Sequence, residues 1–302
     1  MQRPAKPLTP VRFRIQPPLN IMKIGIIGYG FVGKALEAGF SDAVDIIKID
    51  PKLNTKIQSL ESFNPDAIFI CVPTPMRNDS TQDVSILTNV LNEIKKLNLK
   101  SLTVLKSTVL PNHIQKIESI IPRFVYNPEF LREKYATQDF IESKLIVFGG
   151  SDDSCKYLAN IYNNYTKCIC KDYVYTDAVS ASLIKYSINS FLATKVVFFN
   201  ELNQLYKDSG AKDSWKNFIK AISRDERIGG SHMEVPGHDG RLGFGGACLP
   251  KDSKAFSLYA DSKNKELNVL NSAIITNNTI RASYNNLTER ELEQNIKFEG
   301  DS

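Results

Sequence analysis

The sequence predicts an α/β fold, in which a doubly wound parallel sheet of the Rossmann type is followed by a helical domain built on one long central helix. Short apolar runs alternate with helical patterns from residue 22 to about residue 170. A glycine-rich turn joins the first run to the first helix, and no proline interrupts the chain between Asp172 and Pro236. We therefore expect four segments: a leader outside the fold at 1–21, the sheet domain at 22–172, the helical domain at 173–287 and a charged tail at 288–302.

The first unit of the sheet domain carries a dinucleotide-binding signature. An apolar run at residues 22–27 leads into a G-x-G-x-x-G turn, a helical pattern and a second apolar run at residues 44–49, which ends at Asp50. The glycines allow a tight turn, close approach of a pyrophosphate and packing of the helix on the strand. The Asp50 carboxylate can accept hydrogen bonds from a ribose diol and would repel a 2′-phosphate, so we expect NAD rather than NADP. The three glycines are Gly28, Gly30 and Gly33.

Four further apolar runs are predicted to be buried strands, at residues 67–72, 102–106, 123–126 and 144–149. Helical patterns at 84–97, 112–119 and 154–163 lie between them. Parallel sheets bind ligands beyond the carboxyl ends of their strands. Three polar clusters follow the runs at that edge: Pro73-Thr74-Pro75, Ser107-Thr108 and Asn127-Pro128-Glu129. Each could be an ordinary turn, but their convergence favours a ligand site.

The helical domain is expected to begin with one long helix over residues 176–208, followed by helices at about 213–223, 251–261 and 267–284. Lys185 and Asn189 lie four residues apart on one face of the long helix, and alone this pair is typical of a solvated surface. The residues from Thr288 onward are highly charged and are expected to fray.

The strongest chemical signal is a single cysteine in the glycine-rich loop at residues 243–252. Pro250 suits the first turn of a helix, so Cys248 should lie at or just before a helix N-terminus, where N–H groups and the helix dipole stabilise a thiolate. Lys251 adds a nearby positive charge, and Asp252 follows about one turn later. We expect a cysteine nucleophile here; the alternative is a small buried thiol after a flexible turn.

Composition argues against several other classes. The net charge is +5, but four basic residues and no acid lie in residues 1–21, so the remaining chain carries only +1 and does not indicate a nucleic-acid surface. The leader lacks the apolar core of a signal peptide, and we expect Met22 to be the natural start. No apolar run approaches the roughly 18 residues that a membrane span needs. Five cysteines, an odd number, indicate reduced thiols and a cytoplasmic protein, and with three histidines no metal site is expected.

Together these motifs resemble the UDP-glucose/GDP-mannose dehydrogenase family. The resemblance covers about residues 22–285 and is most specific in the loop at 243–252. It implies that two NAD molecules oxidise the C6 alcohol of a nucleotide sugar to a carboxylate without release of the aldehyde, with UDP-glucose as the first expectation. It also implies a homodimer paired through the long helix. The motifs that carry it are the glycine fingerprint, residues 71–75, 106–109 and 127–133, Lys185 with Asn189, Asn200-Glu201, residues 227–229 and the cysteine loop.

The resemblance also assigns roles to individual residues. Cys248 would add to the aldehyde, and the thiohemiacetal would become a thioester that water hydrolyses. Lys185 and Asn189 would stabilise the oxyanion, while Asp252, Glu129 and Thr108 would move protons through an ordered water. The residues that would contact NAD are Gly28, Gly30, Phe31, Val32, Gly33, Asp50, Val72, Pro73, Thr74, Thr108 and Lys251. Those that would contact the substrate are Phe130, Leu131, Glu133, Lys185, Asn189, Gly245 and Arg227, the last across the dimer interface.

Family members usually continue into a third domain that holds the nucleotide, and we expect that domain to be absent because the sequence ends soon after the helix at 267–284.

Two other functions remain possible. A simpler β-hydroxyacid dehydrogenase would also combine a Rossmann domain with a helical domain and Lys-x-x-x-Asn, but it would perform one oxidation and need no cysteine. A family member that binds NAD without catalysis, as an assembly or regulatory subunit, is the other alternative.

Overall fold

A seven-stranded sheet forms the first half of the structure. The computed structural model describes residues 21–298, so the expected leader lies outside the described residues except for Ile21. The strands lie in the order β2-β1-β3-β4-β5-β6-β7, which confirms the doubly wound sheet. They span Met22–Ile27 (β1), Val44–Ile49 (β2), Ala67–Ile70 (β3), Leu102–Leu105 (β4), Phe124–Tyr126 (β5), Val147–Gly150 (β6) and Val174–Thr176 (β7).

Helices cover both faces of this sheet. Six of them connect the strands: Phe31–Gly39 (α1), Ser59–Phe63 (α2), Ser85–Leu97 (α3), Pro111–Ile120 (α4), Ala136–Ile141 (α5) and Asp152–Tyr165 (α6). The helices α1, α5 and α6 enclose one hydrophobic cluster, and α2, α3 and α4 enclose another. Along β3, Phe69 enters the first cluster while Ile68 and Ile70 enter the second. Because both faces are buried, the strands read as continuous apolar runs rather than as alternating ones.

The sheet differs from the expected one in two respects. β6 runs antiparallel to β5, because the connection between them starts and ends at the same edge, where the Asn127 side-chain amide donates to the Val147 carbonyl at 2.9 Å. The sheet also continues past residue 172 into β7, which pairs with β6. Val174 and Tyr175 are exposed in this short edge strand. The strand therefore lacks the long, buried apolar run from which the other strands were predicted.

The long helix and its neighbours form the second half. Helix α7 spans Ala178–Asp208, 31 residues, and is followed by Trp215–Ile222 (α8), Leu249–Asp261 (α9) and Asn268–Ala282 (α10), close to the expected bounds. α7 packs on β6, α4, α9 and α10. At its far end Tyr206 forms an aromatic cluster with Trp215 and Phe218 of α8. Within residues 21–298 no helix is long and apolar enough to cross a membrane.

The expectation of a frayed tail from Thr288 onward is wrong for its described part. Residues Glu289–Glu293 form helix α11, which begins with a capping box between Thr288 and Glu291. Glu291 has no exposed surface and Ile296 is 2% exposed. The charges misled the prediction because the buried carboxylate is paired with Arg281 at 2.6 Å.

Candidate active site

A cradle for a dinucleotide lies at the carboxyl ends of β1 and β2. Gly28 has a φ of +88°, and a Cβ atom at Gly30 would meet no protein atom within 4 Å, so the turn leaves room before α1. The Asp50 carboxylate accepts hydrogen bonds from the backbone N–H groups of Tyr29 and Lys52, at 2.7 and 2.8 Å. These bonds fix an acceptor beside the glycine turn. Phe31 and Val32, at the start of α1, are partly exposed, while Gly33 is buried.

The ends of β3 and β4 meet beside this cradle. The Thr74 hydroxyl donates to the Thr108 carbonyl at 2.8 Å, and the Gln82 side-chain amide donates to the same carbonyl at 2.8 Å. Thr108 is partly exposed, Pro73 is exposed and Val72 is buried. The loops that were expected to contact NAD therefore lie at one edge of the sheet.

The first ion pair of the site joins the loop after β5 to α7. Lys185 is 3% exposed, and its Nζ atom donates to the Glu129 carbonyl at 2.5 Å and to the Glu129 carboxylate at 3.2 Å. Burial alone would lower the pKa of Lys185, but Glu129 and Asp252 outweigh it and raise that pKa. Lys185 therefore carries a fixed positive charge. Its ammonium lies 5.2 Å from the centre of the Phe130 ring.

The second charged group joins α7 to α9. The Asn189 side-chain amide donates to Asp252 Oδ2 at 2.6 Å, and Lys251 Nζ donates to Asp252 Oδ1 at 2.5 Å. All three side chains are buried. Lys185 and Asn189 consequently face the protein interior, which corrects the expectation that the pair alone marks a solvated surface: Glu129 and Asp252 supply the partners that burial requires.

Cys248 lies where the sequence predicts, at the N-cap of α9, and is partly exposed. Its electrostatic setting is not the expected one. Burial of the thiol, with the charges of Glu129 and Asp252, raises the pKa of Cys248 to about 11, although Lys185 and Lys251 act in the opposite direction. The expected stabilisation of the thiolate is wrong because both lysines already neutralise carboxylates.

Some of the other residues expected to contact the substrate lie near Glu129, and others lie on the surface. Leu131 is partly exposed, and its N–H donates to the Glu129 carboxylate at 2.6 Å. Glu133 is exposed and pairs with Arg290 at 2.9 Å. Arg227 is paired with Asp225 at 2.6 Å and its side chain is 88% exposed, so within this chain it is not brought to Cys248. Gly245 packs against Arg281 and Glu291.

Two buried polar residues of the site were given no role by the sequence. Lys106 is 4% exposed, donates to Asn127 Oδ1 at 3.0 Å, and has a pKa lowered to about 8 because burial outweighs the attraction of Cys71 and Glu129. Gln82 also binds the Tyr186 hydroxyl at 3.0 Å, which ties the sheet edge to α7. The only sequence feature that could have identified Lys106 as a site residue is its place in the motif 106–109. No sequence feature identifies Gln82.

Both halves of the chain are similar to known proteins. Residues 52–166 match the NAD binding domain of the UDP-glucose/GDP-mannose dehydrogenase family, and residues 179–279 match its central domain. A UDP-glucose 6-dehydrogenase of Campylobacter jejuni is 30% identical over 299 residues, 87% of this chain and 73% of that protein. One of Rickettsia bellii is 37% identical over 242 residues, 76% of this chain and 52% of that protein, so the chain spans about half the length of this relative.

A solved structure extends the comparison to the fold. A UDP-glucose dehydrogenase from Pyrobaculum islandicum superposes with a TM-score of 0.69 at 25% identity, over 90% of this chain and 70% of that chain. The matched domain binds NAD and the cradle around Gly28 and Asp50 fits that dinucleotide, so NAD is the cofactor. With both domains matched in order, the chain belongs to the UDP-glucose/GDP-mannose dehydrogenase family.

Proposed function

We propose that this protein is an NAD-dependent nucleotide-sugar 6-dehydrogenase that oxidises a C6 alcohol to a carboxylate, with UDP-glucose converted to UDP-glucuronate as the first candidate reaction. The observation that carries the proposal is the group of side chains around the thiol. The charges of Glu129, Asp252, Lys185 and Lys251 all act on the pKa of Cys248. A nucleophile, fixed cations and carboxylates are the groups that an oxidation through a covalent thioester needs.

The proposed chemistry proceeds in steps that this chain can support. NAD, when bound, supplies the hydride acceptor for both oxidations, and in the first the C6 hydroxyl proton would leave through a water towards Asp252 or Glu129. After the first oxidation the sulfur of Cys248 bonds to the aldehyde carbon, and because its pKa is about 11 the thiol proton leaves as that bond forms. Glu129 or Asp252 would take this proton. The carbonyl oxygen becomes an oxyanion, which the Lys185 ammonium and the Asn189 amide would stabilise.

The second half of the reaction releases the acid. Oxidation of the thiohemiacetal produces a thioester on Cys248. A water then bonds to the thioester carbon, the carbon–sulfur bond breaks, and the sulfur regains a proton. Glu129, Asp252 and the Thr108 hydroxyl would move the protons of that water. The NAD contacts from Gly28 to Lys251 and the substrate contacts at Phe130, Leu131 and Gly245 belong to the same proposal.

The test is the number of NADH molecules formed per substrate consumed. UDP-glucose, UDP-N-acetyl sugars and GDP-mannose are each offered with NAD to the wild type and to Cys248→Ala. We expect two NADH per sugar acid in the wild type and no sugar acid from the variant. One NADH with an unaffected variant would instead indicate a one-step β-hydroxyacid-type dehydrogenase. NAD binding without turnover of any sugar would favour the non-catalytic reading.

We also propose that the chain forms a homodimer through α7. Four apolar side chains on one side of that helix are exposed, between 36% and 66%: Leu183, Phe191, Phe198 and Leu205. A second copy would bury this stripe and could bring its Arg227 towards the site. We expect Phe191→Glu to convert a dimer to a monomer in light scattering after size exclusion. Ile169→Glu, an equally exposed apolar position near the sheet edge, is the control and should leave the mass unchanged.

A further inference from the structure

We propose that Glu291 is a positioning residue that holds the Cys248 loop through a buried carboxylate on α11. This inference rests on the proposed role of Cys248 and adds a residue outside both matched domains. Residues 288–298, the terminal strap, carry the carboxylate to the loop.

The carboxylate of Glu291 spans two separate parts of the chain. One oxygen, Oε2, accepts the N–H of Thr288 at 2.7 Å and so completes the cap of α11. The other, Oε1, accepts the backbone N–H of Gly246 at 3.1 Å and the Arg281 guanidinium at 2.6 Å. Gly246 lies two residues before Cys248, so one side chain joins the strap to the loop that carries the thiol.

The first residues of the loop are held by side-chain partners. The N–H of Gly243 donates to the Asn200 side chain at 3.0 Å, and Asn277 exchanges two hydrogen bonds with the backbone of Phe244. A Cβ atom at Gly245 would lie 2.2 Å from Arg281 Nη2 and 2.5 Å from Glu291 Oε1. The backbone therefore approaches the Arg281–Glu291 pair as closely as a glycine permits.

A capping function alone does not explain this burial. In the capping box the carboxylate of Glu291 has to accept only the Thr288 N–H, and a carboxylate on the protein surface could do this equally well. Burial alone would raise the pKa of Glu291, but the N–H groups of Thr288 and Gly246 and the Arg281 charge lower it, so the group is ionised at neutral pH. The second oxygen is thus an ionised acceptor that the Gly246 N–H and the Arg281 guanidinium share.

The strap also contacts the sheet side of the site. The Met76 N–H donates to the Gln294 carbonyl at 3.2 Å, and Arg290 pairs with Glu133 at 2.9 Å. It therefore links the loops after β3 and β5 to the loop before α9. Glu291 lies at the point where this link reaches the backbone of the Cys248 loop.

The alkylation rate of Cys248 by iodoacetamide tests the proposal without any turnover. The rate at pH 8 is measured by mass spectrometry of the Cys248 peptide in the wild type, Glu291→Ala, Glu291→Gln and Glu289→Gln. When the loop is released, the thiol becomes more hydrated and its pKa falls towards the ordinary value. We expect Glu291→Ala to react about tenfold faster or more, Glu291→Gln to be intermediate, and the exposed control Glu289→Gln to match the wild type.

A folded Glu291→Ala protein that retains the wild-type alkylation rate would overturn the proposal, as would an equal increase in Glu289→Gln. If Glu291→Ala does not fold, amide hydrogen exchange of the wild type decides. Because the Gly246 N–H is held by Glu291, its exchange should follow that of the α11 amides under all conditions. Exchange at Gly246 that is tenfold slower than in α11 would contradict the link.

Discussion

At the scale of single residues, the site is organised by charge pairing more than by exposure. Lys185 and Lys251 lie close to the thiol, yet each already binds a carboxylate, Glu129 and Asp252 respectively. At the thiol, burial and the charges of these two carboxylates therefore outweigh the two lysines. Cys248 is consequently a thiol that must lose its proton during the reaction.

The pH dependence of Cys248 alkylation follows from that raised pKa. A pKa of about 11 means that the thiolate fraction rises with pH throughout the working range. We expect the iodoacetamide rate at Cys248 to rise about tenfold per pH unit from pH 7 to pH 10 without a plateau. Glutathione, measured in the same samples, should reach its plateau earlier. A plateau for Cys248 near pH 8 would show that its pKa is not raised.

The buried pair of Lys185 and Glu129 should behave as a coupled unit. Lys185→Met leaves the 8% exposed carboxylate of Glu129 without its cation, and we expect a loss of about 3 to 5 kcal/mol in the free energy of unfolding. Glu129→Leu should cost a similar amount, and the double variant less than the sum. Urea unfolding measures all three. Arg227→Met, which removes an exposed ion pair, should leave stability unchanged.

These residues also mark how far the sequence could predict the site. Cys248, Lys185 and Asp252 were singled out because their motif spacing is visible in one dimension. Lys106 and Glu291 were not assigned roles, since their partners Asn127 and Gly246 lie 21 and 45 residues away. The direction of the shift in the thiol pKa was predicted wrongly, because the sequence does not show that Lys185 and Lys251 are paired with carboxylates in the folded protein.

At the scale of secondary structure elements, α7 determines the geometry of the site. It packs closely on β6, where a Cβ atom at Gly149 would lie 2.5 Å from the Ala181 Cβ atom. Lys185 follows Ala181 by about one turn. The distance between helix and sheet therefore sets the position of the ammonium relative to Glu129.

We expect Gly149→Ala to move α7 away from the sheet. The overpacked contact should lower the free energy of unfolding by about 1 to 3 kcal/mol and reduce kcat, because Lys185 moves with the helix. Gly30→Ala is the matched control, since its Cβ atom would meet no protein atom. That variant should lose under about 1 kcal/mol but bind NAD more weakly, because the methyl group fills the room before α1. Thermal unfolding and NAD titration of both variants test this.

The elements themselves were predictable where they bury a continuous pattern. The apolar runs at β1, β3 and β4 and the period of α7 are local signals, and all were confirmed. The direction of β6 was not, because strand direction depends on the route of the connection rather than on composition. Helix α11 was missed for a similar reason: the Thr288-x-x-Glu291 signature marks a cap, but the charges around it suggested solvent.

At the scale of the whole molecule, the two halves are stabilised differently. Two large hydrophobic clusters flank the sheet, whereas the two buried clusters beside α7 are small: one consists of Ala193, Val197, Phe244 and Ala273, and the other of Leu110, Tyr186 and Ala255. Polar contacts, among them the Asn277 bonds to Phe244, supply much of the order there. The half that binds dinucleotide should therefore be the more rigid one.

NAD should stabilise the folded protein more than NADP does. A ligand at 100 times its dissociation constant adds about 2.7 kcal/mol to the free energy of unfolding. The Asp50 carboxylate, held by the N–H groups of Tyr29 and Lys52, would repel a 2′-phosphate. We expect a clear increase in Tm with NAD and a much smaller one with NADP at the same concentration. Equal shifts would contradict the assigned role of Asp50.

The aromatic cluster at the far end of α7 contains a natural fluorophore, Trp215, whose emission can report on the position of that end. Trp215 is the only tryptophan of the chain, and its ring centre lies 5.5 Å from those of Tyr206 and Phe218. Tyr206 follows Lys185 along an unbroken helix by about 30 Å, which is too far for a bound ligand to touch the indole. A change in tryptophan emission when oxidised NAD binds, which does not absorb at the emission wavelength of tryptophan, would therefore report movement transmitted along α7 in the unlabelled protein.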